Sequence, residues 1–268
     1  MVKKKILYVT SEIYPYLEES YISKICRYLP QGIQERENEI RTFMPKYGCI
    51  NERKNLLHEV IRLSGQNIII EESDHPLIIK VASLQAVRMQ IYFIGSEDFF
   101  NRKQLMRDEN GEFFQDNDSR AIFFAKGVIE TVCKLGWNPD IIHCHGWITS
   151  LLPIFLRTCY KDNPFFQDSK IVLSVYNDQF KEKFKPAFGK KLSITGIPNN
   201  CLAHFKAPSY ESIIRSGIDF SDGVVIGQPD VKSSILEYLK EYDRPLLHHP
   251  ESEDYIDHYE AFYDSIIK

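Results

Sequence analysis

The sequence lacks the features that mark membrane-spanning proteins and disulfide-stabilised secreted proteins. No segment approaches the ~20 consecutive apolar residues that a membrane span requires. The first apolar run is interrupted at Glu12 and no small-residue cleavage site follows it, so we do not expect a secretory signal. The six cysteines include no C-x-x-C pair, which indicates reduced, mostly buried thiols. These absences favour a soluble, cytoplasmic protein.

An excess of charge of one sign is lacking as well. The chain has 33 Lys and Arg against 37 Asp and Glu, a net charge of -4, which gives no electrostatic reason to expect nucleic acid or an anionic membrane as a partner. Gly111, Gly127 and Gly136 form no phosphate-binding pattern, and no serine sits in a nucleophile elbow. We therefore expect neither a nucleic-acid partner nor a membrane partner.

What is present is the pattern of a layered α/β protein. A hydrophobic content of 43% supports a well-buried core, and β-rich apolar runs alternate with amphipathic ones. This alternation predicts an α/β fold with a doubly wound, mostly parallel sheet of Rossmann-like type. The predicted strands are Lys5–Thr10, 40–44, 90–94, 140–144, Lys170–Val175 and Gly223–Ile226. The predicted helices are 21–36, 118–135, 147–160, 210–216 and 231–242.

Two stretches depart from this alternation. Residues 59–64, 67–72 and 76–82 are expected to form short antiparallel pieces, a small excursion from the main sheet with turns between them. Residues 178–208 show no clear periodicity, and loops of that length are usually functional or mobile.

An aromatic stripe marks the carboxyl terminus. Its members recur at i, i+4, i+7, i+8 and i+11, which places them on one face of a helix. They are Tyr255, Tyr259, Phe262, Tyr263 and Ile266. We expect residues 255–268 to form a terminal helix that docks on the core.

The opening of the chain carries the most informative motif. Residues 5–15 run from a lysine-led apolar strand through Thr10 and Ser11 to Glu12 and Pro15, as expected for a first buried strand that leads into a ligand-binding loop. This stretch resembles the opening of bacterial glycogen synthases and plant starch synthases. In that family Ser-Glu-x-x-Pro leads into a Lys-Thr-Gly-Gly-Leu-Gly-Asp loop around the sugar-nucleotide donor, whereas residues 18–24 here read Glu-Glu-Ser-Tyr-Ile-Ser-Lys.

Further segments resemble the amino-terminal half of the same family, in order and spacing. They are Thr42-Phe43-Met44-Pro45-Lys46-Tyr47-Gly48, Tyr92-Phe93-Ile94, Phe99-Phe100-Asn101-Arg102, Asp116-Asn117-Asp118-Ser119-Arg120 with Phe123-Phe124, His143-Cys144-His145-Gly146-Trp147, and Arg215-Ser216-Gly217-Ile218 with Ser221-Asp222. Together they cover residues 5 to about 235.

The resemblance implies one half of a two-domain nucleotide-sugar glycosyltransferase. It implies glycogen biosynthesis, ADP-glucose as donor, an α-1,4-glucan as acceptor, retention of configuration, and no metal or other cofactor. Residues 1–268 are accordingly expected to form a single amino-terminal domain, with 255–268 packed back on it. The donor-binding groups of a second domain would then be missing, and a retaining transfer that expels a diphosphate depends on such groups.

The resemblance also places the donor or substrate cleft. Glu18 aligns with the family's donor-loop lysine, Ser20 and Tyr21 with its paired glycines, and Lys24 with its aspartate; Glu19 lies between them. A glutamate beside a diphosphate repels where the lysine attracts, and Tyr21 would fill space that the donor needs. These replacements predict impaired donor binding.

A second group of candidates lies at later strand ends. By resemblance, His145 is the one candidate catalytic residue, because it matches the histidine that contacts the sugar in the family. Its neighbours Gly146 and Trp147 stand at the Asp-Trp positions, and Tyr176 and Asn177 at a later His-Asn pair. His143 and His145 share a strand face, but two ligands without a third predict no metal site.

Three functions remain open at this stage. One is a starch-synthase-type glucosyltransferase, catalytically impaired when alone and active either with a separate chain that supplies the second domain or by an altered donor mode. The second is a non-catalytic glucan-binding, regulatory or assembly module, a pseudoenzyme candidate with a protein partner or a homodimer through the former interdomain face. The third is an unrelated small-molecule activity in a remodelled cleft, with Lys24, His145, Tyr176 and Asn177 as the residues to test. Possible ligands are an α-glucan or a nucleotide-sugar.

Overall fold

The computed structural model describes residues 3–251 and 254–267, and a nine-stranded sheet organises them. The strands in chain order are β1 (Lys5–Thr10), β2 (Glu39–Pro45), β3 (His58–Glu59), β4 (Asn67–Ile70), β5 (Ser73–Pro76), β6 (Ile78–Leu84), β7 (Met89–Gly95), β8 (Ile141–His145), β9 (Lys170–Val175), β10 (Gly223–Ile226) and β11 (Leu246–Leu247). The α-helices are α1 (Tyr21–Glu35), α2 (Asn117–Leu135), α3 (Leu152–Arg157), α4 (Phe188–Ile194), α5 (Tyr210–Asp219), α6 (Ser233–Leu239) and α7 (Tyr255–Ile267).

The sheet is mostly parallel and doubly wound, which confirms the predicted fold class. Its strand order is β11-β10-β9-β8-β1-β2-β7-β6-β3, and only β6 and β3 run antiparallel to their neighbours. The chain winds from β1 towards β7 on one side and from β8 towards β11 on the other. The order therefore reverses between β1 and β8, and ligands in open α/β sheets bind outside the carboxyl ends of strands at such a point.

Alternating side chains of the buried central strand divide the core between the two sheet faces. Ile6 and Tyr8 of β1 pack with α1 and α7, whereas Leu7 and Val9 belong to the larger core that includes α2. Because successive strand residues point to opposite faces, a strand buried on both sides reads as the continuous apolar run of residues 6–9. This explains why β1 was recognisable from the sequence.

The antiparallel excursion is present, with different boundaries from those predicted. β4 and β5 form a separate two-stranded hairpin, and β5 occupies residues where a turn was expected. Only β3 is a strand in the predicted segment 59–64, because the backbone turns at Val60, whose carbonyl accepts hydrogen bonds from the amides of Leu63 and Ser64.

The predicted helix over 147–160 is divided in two. Trp147–Thr149 forms a 3-10 turn, and α3 begins at Leu152 with Pro153 in its first turn. Pro153 has no amide hydrogen to donate to the carbonyl four residues earlier, so a continuous helix would lose a bond and clash there. The long loop 178–208 likewise contains α4 and two 3-10 turns, each too short to show a readable period.

Helix α7 lies against α1 and across one face of the central strands. A Cβ added to Gly32 of α1 would stand 2.2 Å from Ile256, and one added to Gly223 of β10 would stand 2.5 Å from Ile266. The Lys4 ammonium also pairs with the Asp264 carboxylate at 2.7 Å. The helices and strands therefore approach closely at two glycines.

The expectation that the cysteines are mostly buried is wrong. Cys26 and Cys144 are buried, Cys133 and Cys201 are half-buried, and the other two, Cys49 and Cys159, are exposed; all six are free thiols. Among residues 3–251 and 254–267, no helix is long and apolar enough to cross a bilayer. Within those same ranges, no group of three or more His, Cys, Asp or Glu side chains is placed to hold a metal ion.

Candidate functional site

The candidate site lies where the carboxyl ends of β1, β8 and β9 meet. Thr10 pairs with His145 across the sheet, and His145 pairs with Ser174. The Ser11 amide then donates to the His145 carbonyl at 3.0 Å, so the loop after β1 leaves the sheet directly beside the end of β8. Parallel register therefore brings together the two segments that the sequence singled out, at the reversal of strand order.

His143 is an interior side chain with both ring nitrogens engaged. Its Nδ1 lies 2.7 Å from the Tyr263 hydroxyl of α7, and its Nε2 lies 2.7 Å from the Ser174 hydroxyl. Tyr8 extends the chain of hydrogen bonds, with 3.2 Å between its hydroxyl and that of Tyr263. Burial holds the pKa of His143 well below its usual range, so the ring is neutral and joins the sheet to α7.

His145 is equally buried but only half satisfied. Its Nδ1 lies 2.7 Å from the Tyr176 hydroxyl, whereas its Nε2 is buried with no hydrogen-bond partner. Burial lowers the pKa of His145 to about 3, so the imidazole is neutral at physiological pH. A neutral ring with one free nitrogen could accept or donate one hydrogen bond, but no solvent reaches it in this structure.

Tyr176 closes the space above His145. Its side chain is fully buried, and its ring packs so tightly on the backbone that a Cβ at Gly227 would stand 2.3 Å from it. Tyr21 adds a further layer, with its ring centroid 6.5 Å from that of Tyr176. Two aromatic rings thus lie between His145 and the surface.

Gly146 makes the sharp exit from β8 possible. Its φ is +87°, a backbone conformation that residues with a Cβ rarely adopt, and a Cβ would meet the Ser11 hydroxyl at 2.4 Å. The Asp178 carboxylate lies on the other side, 3.3 Å from that position. An aspartate at position 146, as in the resembled motif, would therefore collide with Ser11 and stand beside another carboxylate.

Asp178 fixes the turn that follows Gly146. Its Oδ2 accepts from the Trp147 amide at 2.6 Å, and its Oδ1 accepts from the Tyr210 hydroxyl at 2.8 Å. Burial raises the pKa of this carboxyl, while its hydrogen bonds oppose the rise. The Trp147 side chain points away into an aromatic cluster, with Phe180 and Phe184 at centroid distances of 5.3 and 6.0 Å.

The donor-loop segment ends in a closed helix cap. Ser20 is the N-cap of α1: its hydroxyl accepts from the Ser23 amide at 3.0 Å, and the Ser23 hydroxyl accepts from the Ser20 amide at 2.7 Å. The Ser20 hydroxyl also donates to the Glu12 carboxylate at 2.5 Å. A free helix N-terminus can bind phosphate through its amides, but here the Ser23 amide already donates to the Ser20 hydroxyl, and that hydroxyl is bound to the Glu12 carboxylate.

The remaining loop side chains form no phosphate-binding arrangement. Glu19 pairs with Lys24 at the surface, so the one cation of the segment is directed to a neighbouring carboxylate. Glu18 is exposed, and Tyr21 stands in the open at 45% exposure with its hydroxyl 3.2 Å from His249 Nε2. Asn177 lies apart from His145, where its amide donates to the Asp230 carboxylate at 2.7 Å.

Two separate cavities flank the start of α1. The larger, of about 720 Å³, is lined by three carboxylates together with Cys49, Lys103 and Leu105. Those carboxylates are Glu12, Glu18 and Glu19. The smaller, of about 260 Å³, lies on the α7 side and includes Tyr21 and Lys24. The sequence-predicted residues therefore do not form one site. His145, Gly146 and Tyr176 meet in the interior, whereas the residues of the segment 18–24 that line a cavity face one or the other of these two.

Sequence reasoning did not name Asp178 or His249 as site residues, and it used Glu12 only as part of the opening motif. Asp178 follows Asn177 just beyond a buried strand, so its position at a strand end was a usable signal. Glu12 follows Ser11 at the end of β1 in the same way. His249 gave no local signal, because its contact with Tyr21 joins residues 228 positions apart.

Comparisons with known proteins agree on the nature of the domain. The family model described as the starch synthase catalytic domain matches residues 5–245. A glycogen synthase from Chlorobium limicola is 43% identical over 174 residues, which is 65% of this chain and 36% of that protein. A glycogen synthase from Chlorobaculum parvum is 36% identical over 239 residues, or 82% of this chain and 49% of that protein.

A solved structure shows the same fold. The catalytic domain of starch synthase IV from Arabidopsis thaliana, bound to ADP and acarbose, superimposes with a TM-score of 0.74 at 16% identity, over 92% of this chain and 51% of that one. The chain spans about a third to a half of the length of the curated relatives that it matches. It belongs to the starch synthase catalytic domain family, which confirms the resemblance that the sequence motifs indicated.

Proposed function

We propose that this chain is a glycogen-synthase-like domain in which ADP-glucose-dependent transfer of glucose to an α-1,4-glucan is impaired when the chain acts alone. Membership of the family supports the relationship to glucan synthesis. The enclosure of His145 and the acidic residues at the carboxyl ends of the central strands support the impairment. We also propose a cytoplasmic location, which the six free cysteines support.

The enclosure of His145 is the observation that carries the proposal. In an active site this side chain would have to contact a sugar, yet it is fully buried and its Nδ1 is already bound to the Tyr176 hydroxyl at 2.7 Å. Opening the site would require moving Tyr176, whose ring is packed against Gly227, and exposing a buried polar pair. A substrate gains no contact with His145 unless the interior is rearranged.

The charges around the segment 18–24 also support impaired transfer. A glucosyl transfer from a nucleoside diphosphate sugar releases a diphosphate, and catalysis requires donors or cations placed where that charge develops. Here, among the described residues, three carboxylates, Glu12, Glu18 and Glu19, and a single cation, Lys103, line the cavity beside α1, and Ser20 occupies the N-cap. Each carboxylate close to a departing diphosphate raises the energy of the transition state instead of lowering it.

The test is transfer of labelled glucose from ADP-glucose to glycogen by the purified 268-residue chain. A double variant, Glu18→Ala with Tyr21→Gly, is assayed beside it, and an exposed substitution remote from the edge, Arg53→Ala, serves as the matched control. We expect no incorporation above a no-protein blank for any of the three. Incorporation by the unmodified chain that the double variant changes and Arg53→Ala does not would overturn the proposal.

A second candidate is a non-catalytic glucan-binding, regulatory or assembly module. The observation that favours it is the pair of exposed tyrosines on α1, Tyr21 and Tyr28, whose side chains are 45% and 46% exposed beside a cavity. Exposed aromatic faces beside a cavity are typical of surfaces that bind ligands or proteins. Co-sedimentation with glycogen and analytical ultracentrifugation would separate a glucan ligand from a protein partner or a homodimer.

A further inference from the structure

The segment 181–206 carries a concentration of positive charge. It contains six lysines and one acidic residue, Glu182, in a protein whose net charge is -4. Glu182 does little to offset these lysines, because its two carboxylate oxygens accept from the Arg107 guanidinium at 2.7 and 2.8 Å. The segment is therefore a positive region in an acidic protein.

Five of the six lysines face solvent. Lys191 is the exception: it is buried, and its ammonium lies 3.0 Å from the Asp118 carboxylate and 2.8 Å from the Ser119 hydroxyl. Among the described residues, the other five form no ion pair with a carboxylate. They are Lys181, Lys183, Lys185, Lys190 and Lys206. An occupant that brings negative charge would relieve their mutual repulsion.

A groove of about 430 Å³ lies within this segment. Lys190 and Lys206 contribute ammonium groups to its lining, whereas Pro186, Leu202 and Phe205 contribute apolar surface. None of the described residues that line it is acidic. The groove thus combines positive charge with an apolar floor.

The groove is built by the packing of α4 against the 3-10 turn Ala203–Lys206. A Cβ added to Gly189 would stand 3.2 Å from the Phe205 carbonyl oxygen, so the absence of a side chain lets the two elements approach. The ring of Phe188 packs on that of Phe205 with 5.1 Å between centroids. The spacing of the groove walls is therefore fixed by buried contacts.

The shape and chemistry of the groove favour an acidic polypeptide over other anions. A compact anion needs cations that converge on one point, whereas these lysines are exposed and spread along the segment, where solvent screens each single contact. Nucleic acid bases stack on exposed aromatic rings, but the four phenylalanines of the region are buried. They are Phe180, Phe184, Phe188 and Phe205. A flat bilayer surface does not enter a concave groove, whereas an extended chain does.

We propose that the groove between α4 and the turn Ala203–Lys206 binds an acidic, extended segment of another protein. Carboxylates of that segment lie against Lys190 and Lys206, and one of its apolar side chains packs on Pro186 and Leu202. The groove shares no lining residue with either cavity beside α1, so this inference does not depend on glucosyl transfer or on glucan binding.

The test is a fluorescence anisotropy titration of the full chain with a labelled peptide of glutamates around one central leucine. The same peptide with glutamine in place of every glutamate is the control ligand. The groove variant combines Lys190→Ala with Lys206→Ala, and the matched control combines Lys3→Ala with Lys54→Ala, two exposed lysines outside the groove. We expect the acidic peptide to bind, the groove variant to weaken its affinity about tenfold, and the control variant to change it less than about twofold. Raising the salt concentration should weaken binding to the unmodified chain.

Several results would overturn this proposal. They are the absence of binding by the acidic peptide, equal affinity for the glutamine peptide, and an affinity that the groove variant leaves intact. Tighter binding of a single-stranded oligothymidylate or of phosphatidylserine vesicles than of the acidic peptide would instead assign the groove to nucleic acid or to a membrane. Circular dichroism shows whether each variant is folded, and exposed lysines are expected to be dispensable for folding.

Discussion

Two regions that carry the family's motifs differ in what their side chains do. Around α2, Arg120 is fully buried, donates from Nε to the Phe99 carbonyl at 2.9 Å and from Nη1 to Asn117 at 2.6 Å, and lies over the rings of Phe100 and Phe114. At the carboxyl ends of the central strands, by contrast, Glu18 is exposed and lines a cavity. The difference teaches that Arg120 has a packing role that does not depend on any chemistry at the site, whereas the exposed Glu18 is not required for packing.

The strongest way to test this contrast is to remove the interior cation. Arg120→Ala leaves the Phe99 carbonyl and Asn117 without partners and opens a cavity among aromatic rings. We expect a loss of about 4 kcal/mol in the free energy of unfolding, measured by urea denaturation. The exposed Arg53→Ala should change stability by less than ~0.5 kcal/mol. Equal effects of the two variants would show that Arg120 is not an interior anchor.

Restoring a family residue at the edge should also destabilise the protein. Gly146→Asp combines an unfavourable positive φ with a collision at Ser11 and a second carboxylate near Asp178, for an expected loss of about 3 kcal/mol. Gly111 has a similar φ of +83° with nothing within 4 Å of a Cβ, so Gly111→Asp isolates the backbone cost, about 1 kcal/mol. If thermal melts show equal losses, the crowding at position 146 has no energetic consequence.

Removing the hydrogen bonds that His143 of β8 makes to α7 and β9 should have an intermediate effect on stability. His143→Phe removes the partner of both the Tyr263 and the Ser174 hydroxyl, so about 2 kcal/mol of stability should be lost. His258 lies exposed on α7, and His258→Phe should be close to neutral. A His143→Phe variant as stable as the unmodified chain would contradict the description of this network.

The most gradual expected effect is a difference in pH dependence, which accumulates over several pH units. The pKa of His145 in the folded protein is about 3 against an ordinary value of 6.5, so below pH 6.5 the unfolded chain takes up a proton that the folded one does not. Stability is therefore complete above pH 6.5 and falls towards pH 3, by about 1.4 kcal/mol per pH unit for one such histidine. His145→Gln should reduce this slope.

The pH dependence of stability must be compared between the unmodified chain and His145→Gln, because other groups also titrate between pH 6.5 and pH 3. Burial raises the pKa of Glu12 and of Asp178, and a carboxyl with a raised pKa favours the folded state as the pH falls. Their contributions cancel when the unmodified chain and His145→Gln are compared at each pH. Parallel stability curves for the two proteins between pH 6.5 and pH 4.5 would show that His145 titrates normally.

The sequence predicted the strands and helices better than the side-chain contacts at the carboxyl ends of the central strands, and the reason is physical. Strand β1 and the long helix α2 follow from local hydrophobic patterns, because burial acts on every residue of such elements. The break at Pro153 was visible in the sequence, but an apolar pattern outweighed it. Three contacts at the site join distant segments, so no local pattern indicates them. They are those of Tyr176 with His145, Asp178 with Trp147, and Tyr21 with His249.

The central claim is that His145 has become an interior side chain. The most direct measurement is a pH titration of the histidine ring nitrogens by NMR in the unmodified chain, with His145→Gln used to assign the signal. We predict that His145 remains a neutral ring from pH 8 to pH 5, with no chemical-shift change on addition of ADP-glucose. A His145 signal that titrates near pH 6.5, or that shifts when ADP-glucose is added, would contradict the account.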